Sequence, residues 1–208
     1  MSRNSMLGTP TLSAERLGRM GITAILVAAG LVVAAAVIQV SVLTRLPLPG
    51  ATADLVLLVL IGIALARGPL TGALAGFGAG LVLDLMPPAD HAVGRYAFVL
   101  CLAGYLLGQL GPRIFGSTFG LMVLSALTAT GTFLAFVVIG ALTGDPRTQW
   151  STVADLLPSA VLYTTVLAPL VVRPVLTYFR PAARGELGLV IRARKARQLN
   201  PLARRQEL

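Results

Sequence analysis

The chain is a succession of long apolar stretches broken by short polar segments. The run from Ile22 to Leu43 is long enough for a full bilayer crossing, which takes about 20 residues. Arg45-Leu46-Pro47-Leu48-Pro49-Gly50 ends it, because proline cannot continue the helical hydrogen-bond ladder. A second apolar run goes from Leu55 to Ala66 and a third from Pro69 to Leu85, with only Arg67-Gly68 between them. Both are short for a crossing. They read as two tight spans turning at Arg67, which is a natural cytoplasmic anchor. The other reading is a re-entrant hairpin entering from outside, which needs surrounding protein to bury it. Tyr96 to Leu110 is the fourth run and Phe119 to Leu142 the fifth. The sixth, Leu156 to Val172, continues through Arg173-Pro174 to Phe179. The pattern predicts an all-α integral membrane protein of about six transmembrane helices over residues 20–179. Residues 1–19, polar with Gly, Ser and Pro, are expected to be a disordered cytoplasmic N-terminus. Residues 180–208 form a basic cytoplasmic tail.

Composition agrees with a membrane solvent. With 56% hydrophobic and 12% charged residues, the chain could not hide its apolar surface in water. Arg3, Arg16 and Arg19 precede the first span as they would a signal peptide. That span is longer than a typical signal core, and more apolar residues follow Ala34-Ala35-Ala36, so it reads as an uncleaved anchor.

Charge then gives orientation. Of 17 Arg and Lys, only Arg45, Arg95 and Arg147 fall in the gaps on one side; the rest fall on the other. Cytoplasmic loops carry the excess of Arg and Lys, so both termini are expected in the cytoplasm. Asp54, Asp84, Asp90, Asp145 and Asp155 lie on the opposite, outer side. The net charge of +9 is therefore a property of the cytoplasmic face and does not point to nucleic acid. The tail reads either as an interfacial basic helix held by anionic lipid or as a disordered positive tail.

Candidate chemistry is sparse. One histidine and one cysteine, Cys101, leave almost no material for a metal or thiol site. No phosphate-binding loop or nucleophile elbow is present, and no acid lies inside a span. No catalytic residue, cofactor or metal is expected. The sharpest local signal is Gly68, Gly72, Gly76 and Gly80, which recur every four residues. On a helix they share one face and let a neighbouring backbone approach closely. Asp54 and Asp155 each open an apolar run, as helix N-caps do. Asp84 instead closes one, where an acid opposes the helix dipole and calls for a partner. Arg95, across a short external loop, is the nearest candidate; if the two pair, reversing both charges should partly restore what either change loses. His91 reads as a solvated loop residue, and Trp150 and Tyr96 as interfacial aromatics. Arg173 is expected to snorkel to the headgroups. Gln39 could snorkel or bond a neighbouring helix.

Three stretches together resemble the rod shape-determining protein MreD family, in a form like those of actinobacteria. The first is Leu48-Pro49-Gly50-Ala51-Thr52-Ala53-Asp54-Leu55. The second runs from Gly68-Pro69-Leu70-Thr71-Gly72 through Leu83-Asp84-Leu85 and Pro87-Pro88 to Gly94-Arg95. The third is Leu162-Tyr163 with Leu167-Ala168-Pro169-Leu170. The resemblance covers about residues 22–179, and the second stretch is the most specific. It implies a six-helix membrane protein without enzymatic activity, acting in the machinery that elongates the cell wall. Its implied partners are the bitopic protein MreC and, through it, MreB, RodA and a class B penicillin-binding transpeptidase. In fold it also implies likeness to the substrate-binding subunits of energy-coupling-factor transporters. The basic tail departs from the compact family pattern. A solute-binding transport subunit is the alternative, for which Asp84, His91, Arg95 and Trp150 could orient a ligand. A lipid-handling protein is a third reading, without a distinctive residue.

Overall fold

The computed structural model describes residues 11–45, 50–86, 94–110, 117–143 and 150–199. Among these residues six α-helices follow one another: α1 (Thr11–Ser41), α2 (Leu55–Arg67), α3 (Pro69–Leu85), α4 (Arg95–Leu110), α5 (Thr118–Leu142) and α6 (Trp150–Leu199). There is no strand among the described residues. A short 3₁₀ turn, Leu43–Arg45, follows α1.

The centre of the bundle is α2. Its sequence, Leu-Val-Leu-Leu-Val-Leu-Ile-Gly-Ile-Ala-Leu, has no polar face, and a helix that is apolar all round has no side to turn to water. Every residue from Leu55 to Leu65 is buried. α6 crosses it closely: a Cβ on Gly62 would stand 2.6 Å from Val175 Cγ1. α1 packs on α2 and α3 through Val32, Ala35 and Ala36, and α5 packs on α6 and α4.

Three stretches, Ile22–Ser41, Thr118–Leu142 and Ala154–Arg180, are long and apolar enough to cross a membrane. α2, α3 and α4 are shorter, with 13, 17 and 16 residues. At 1.5 Å per residue α2 is only about 20 Å long, against a hydrocarbon core of about 30 Å. Because its neighbours enclose it, α2 can be short without exposing its ends to lipid.

α2 and α3 meet without a loop. Gly68 joins them at φ 91°, a region that side chains with a Cβ rarely adopt. Pro69 then opens α3, where its missing N–H costs nothing.

Two boundaries differ from the sequence expectation. α1 begins at Thr11, so residues 11–19 are helical, while 1–10 lie outside the described residues. α6 runs on past Phe179 as far as Leu199, so the helix does not stop at 180, although its apolar stretch ends at Arg180. The tail 200–208 lies outside the described residues.

Candidate functional site

The glycine face of α3 lies against α4. A Cβ on Gly76 would stand 2.6 Å from the Leu100 carbonyl carbon, and one on Gly72 3.0 Å from that of Gly104. Gly80 meets the Ala97 backbone in the same way. The fit is reciprocal, since a Cβ on Gly104 would stand 2.6 Å from the Gly72 carbonyl carbon. The helices therefore touch backbone to backbone along their length, as small residues permit. Gly68 has a different role from its three partners in the series. A Cβ there would meet nothing within 4 Å; its glycine serves the turn. Its backbone nevertheless lies against Gly108, whose added Cβ would stand 2.5 Å from the Gly68 carbonyl carbon. The α4 half of this interface, Ala97, Gly104 and Gly108, was readable as a second run of small residues.

At the opposite end of the hairpin, polar groups fasten the helix starts. The first four N–H groups of a helix have no internal partner, and in an apolar surrounding each needs one. At α2 all four find it. Asp54 is the N-cap, and its Oδ1 accepts from Leu57 N at 2.9 Å. Gln39 Oε1, from the end of α1, accepts from Leu55 N at 2.8 Å and Val56 N at 3.2 Å. The fourth is Asp54 N itself, which donates to the α6 residue Thr164, and Leu58 N makes the first internal bond, to the Asp54 carbonyl at 3.2 Å. Two α6 hydroxyls hold the approach to the cap. Ser159 Oγ accepts from Ala51 N at 2.9 Å, and Thr164 Oγ1 accepts from Asp54 N at 3.0 Å. Both sit in the apolar run of the last span, and sequence reasoning passed over them.

Asp84 does for α4 what Asp54 and Gln39 do for α2. It is 1% exposed, at the end of α3. Its carboxylate accepts from Gly94 N at 2.9 Å, Tyr96 N at 3.1 Å and Ala97 N at 3.0 Å. An acid that opposes the dipole of its own helix thus meets the positive end of the next one. Arg95 leaves the same turn of α4 and is also buried. Its Nε donates to the Phe136 carbonyl of α5 at 2.9 Å, and its guanidinium carbon lies 3.7 Å from the centre of the Phe136 ring. The Tyr96 ring stacks on Phe136 as well, at 4.3 Å between centroids. The structure therefore brings Asp84 and Arg95 to one corner, where they join α3, α4 and α5.

Other expected roles resolve differently. α6 begins at Trp150, so Asp155 lies within the helix, exposed, and does not cap its start. Arg173 is exposed near the start of α5 and donates to Thr118 Oγ1. Asp90, His91, Arg113, Asp145 and Arg147 lie outside the described residues, as does the side chain of Trp150. Among the described residues no group of three or more His, Cys, Asp or Glu could hold a metal.

No curated protein and no solved structure matches the chain. The family of the rod shape-determining protein MreD matches over residues 15–181, most of the chain, and the chain belongs to that family.

Proposed function

We propose that this protein is a non-catalytic membrane scaffold of the cell-wall elongation machinery. Family membership puts it in the cell-shape machinery of the membrane. The finer reading is that it captures a bitopic MreC-type partner and, through it, joins MreB, RodA and a class B penicillin-binding transpeptidase. Six spans with both termini in the cytoplasm follow from the placement of Arg and Lys.

One observation favours a scaffold over a solute-binding subunit of the energy-coupling type. A ligand site needs polar groups that converge on a cavity. Asp84 and Arg95, two groups that could have oriented a solute, instead bind the α4 backbone and the Phe136 carbonyl. Their polarity is used to join helices. What the molecule presents outward is apolar helix surface, including Leu70, Leu74 and Phe77 on α3 and Phe98, Leu102 and Leu106 on α4.

The test is co-purification of a tagged MreC-type partner with the full chain from detergent-solubilised membranes. The wild type should retain the partner, and so should His91→Ala. A wild-type sample that never retains the partner and instead carries a vitamin-sized molecule would replace this reading with the transport subunit.

A further inference from the structure

We infer, on the six-span reading proposed above, that the bilayer is thinner along the exposed α3–α4 face than along α5, and that this face takes phospholipids with short acyl chains as its lipid partner. α3 has 17 residues and α4 has 16. That is roughly 26 and 24 Å of helix, against a hydrocarbon core of about 30 Å. Ionisable residues follow closely in the sequence at both ends. Arg67 stands two residues before Pro69, and Asp90 and His91 lie between α3 and α4. Hydrocarbon does not accept such groups unless protein surrounds them.

The two helices cannot lengthen this wall by sliding past each other. Gly68 meets Gly108 at one end, Gly72 meets Gly104, and Gly80 meets Ala97 near the other, all backbone to backbone. Tilting the pair only shortens the wall. Its outer surface is apolar and exposed, with Leu70, Leu74 and Phe77 on α3 and Phe98, Leu102 and Leu106 on α4.

α5 is a taller wall, and one contact gives the difference in height. It has 25 residues, or roughly 37 Å of helix. Arg95, the first residue of α4, donates through Nε to the Phe136 carbonyl at 2.9 Å. The start of α4 is thus level with Phe136, to within the reach of one side chain. α5 continues from Val137 to Leu142, which adds roughly 9 Å. This extension is apolar, and its Val138 and Leu142 are exposed, Leu142 by 82%. Tilting α5 by about 30° would still leave a step of roughly 8 Å. A flat bilayer that covered the extension would also cover the nearby ends of α3 and α4 and the segment that carries Asp90 and His91. A flat bilayer that spared them would leave Val138 and Leu142 outside hydrocarbon. A bilayer that thins toward α3 and α4 satisfies both flanks, and short acyl chains reduce the mismatch there.

The experiment uses the full chain in phosphatidylcholine vesicles. Single tryptophans are placed by Leu74→Trp on α3 and Leu127→Trp on α5, sites that are 66% and 67% exposed, each with Trp150→Phe. Phe98→Trp is a second probe of the short wall. Quenching by lipids brominated on short (myristoleoyl) or long (erucoyl) chains reads the relative affinity for each chain at each tryptophan. At positions 74 and 98 the short chain should be favoured about threefold or more. At position 127 that preference should vanish or reverse. The same preference at all three sites would overturn the proposal. So would a lack of quenching at 74 and 98, which would mean that a second copy or a partner helix covers the face. Arg67→Cys in a Cys101→Ser background tests the six-span reading separately. An impermeant maleimide should reach it from the side that carries the termini. Labelling only from the other side would mean a re-entrant hairpin and would overturn the six-span reading together with the proposal. Equal chain preference with Arg67→Cys labelled as expected would overturn the thinning alone.

Discussion

A single methyl group at Gly76 should push α3 and α4 apart. A Cβ there would stand 2.6 Å from the Leu100 carbonyl carbon and 3.0 Å from Cys101 N, where ordinary contact is 3.4–4 Å. Both obstacles are backbone of a regular helix, so neither can rotate away. The helices must part by roughly 1 Å, a gap that forfeits about a quarter to a half of the dispersion energy of each affected atom pair. Overpacking of this kind costs about 1–3 kcal/mol, and a backbone clash belongs at the upper end. Alanine's better helix propensity returns about 1 kcal/mol. Gly76→Ala should therefore destabilise by about 2 kcal/mol net. For a chain of this size that lowers Tm by about 4–8 °C, at about 2–4 °C per kcal/mol. Gly78 supplies the internal control. It lies two residues along the same helix, and a Cβ there would meet nothing within 4 Å. Gly78→Ala should leave Tm unchanged or raise it by a few degrees. The assay is thermal unfolding of both variants in one detergent, read by loss of the monodisperse peak on fluorescence-detected size exclusion. Equal shifts in the two variants, or a Gly76→Ala protein as stable as wild type, would refute the close-packing argument.

Three further outcomes follow from the same structure. Asp84→Ala strands the amides of Gly94, Tyr96 and Ala97 and should cost about 3–5 kcal/mol, at about 1–3 kcal/mol per buried orphan. Asp84→Asn should recover part of this in the same unfolding assay. The exchange Asp84→Arg with Arg95→Asp should stay as unstable as the worse single change, because backbone amides cannot be served by a guanidinium. Gln39→Leu should destabilise by about 1–3 kcal/mol through the two α2 amides it abandons, while Gln39→Glu, which keeps the acceptor, should lose less. A cytoplasm-specific fluorescent reporter fused after Leu208 should be bright, and a periplasmic phosphatase fused at the same place should be inactive; the reverse pattern would invert the topology.

The helices themselves were legible because apolar runs and proline-glycine breaks are local signals. Span limits from Leu55 to Leu142 match the helices to within about a residue, finer than pattern reading usually allows. What the sequence could not convey was who faces whom. α2 reads like any short apolar run, and its central place comes only from packing against all five other helices. The glycine series is one half of an interface; the small residues of α4 are just as visible in the sequence, but that they lie opposite α3 shows only where Gly104 and Gly108 meet Gly72 and Gly68. Asp84 stands out in the sequence as an acid that calls for a partner. Charge logic pointed to the Arg95 side chain; what it could not display is the set of amides, of Gly94, Tyr96 and Ala97, from which the Asp84 carboxylate accepts. Gln39, Ser159 and Thr164 act in the same way, on backbone groups brought near by tertiary structure. The early start of α1 was missed, and a helix was only one of two readings of the tail beyond Arg180, because polar and basic stretches lack the apolar periodicity on which helix reading rests.

In the proposed scaffold role, this chain organises wall growth and carries no solute. Depleting it in its host, while new wall is marked with a fluorescent D-amino acid, tests that claim most directly. The account predicts that zoned wall insertion is lost, that the MreC-type partner disperses along the membrane, and that re-expressed wild type restores both while Gly76→Leu does not. Wall insertion that continues unchanged after depletion, together with a fall in uptake of a small solute, would contradict it.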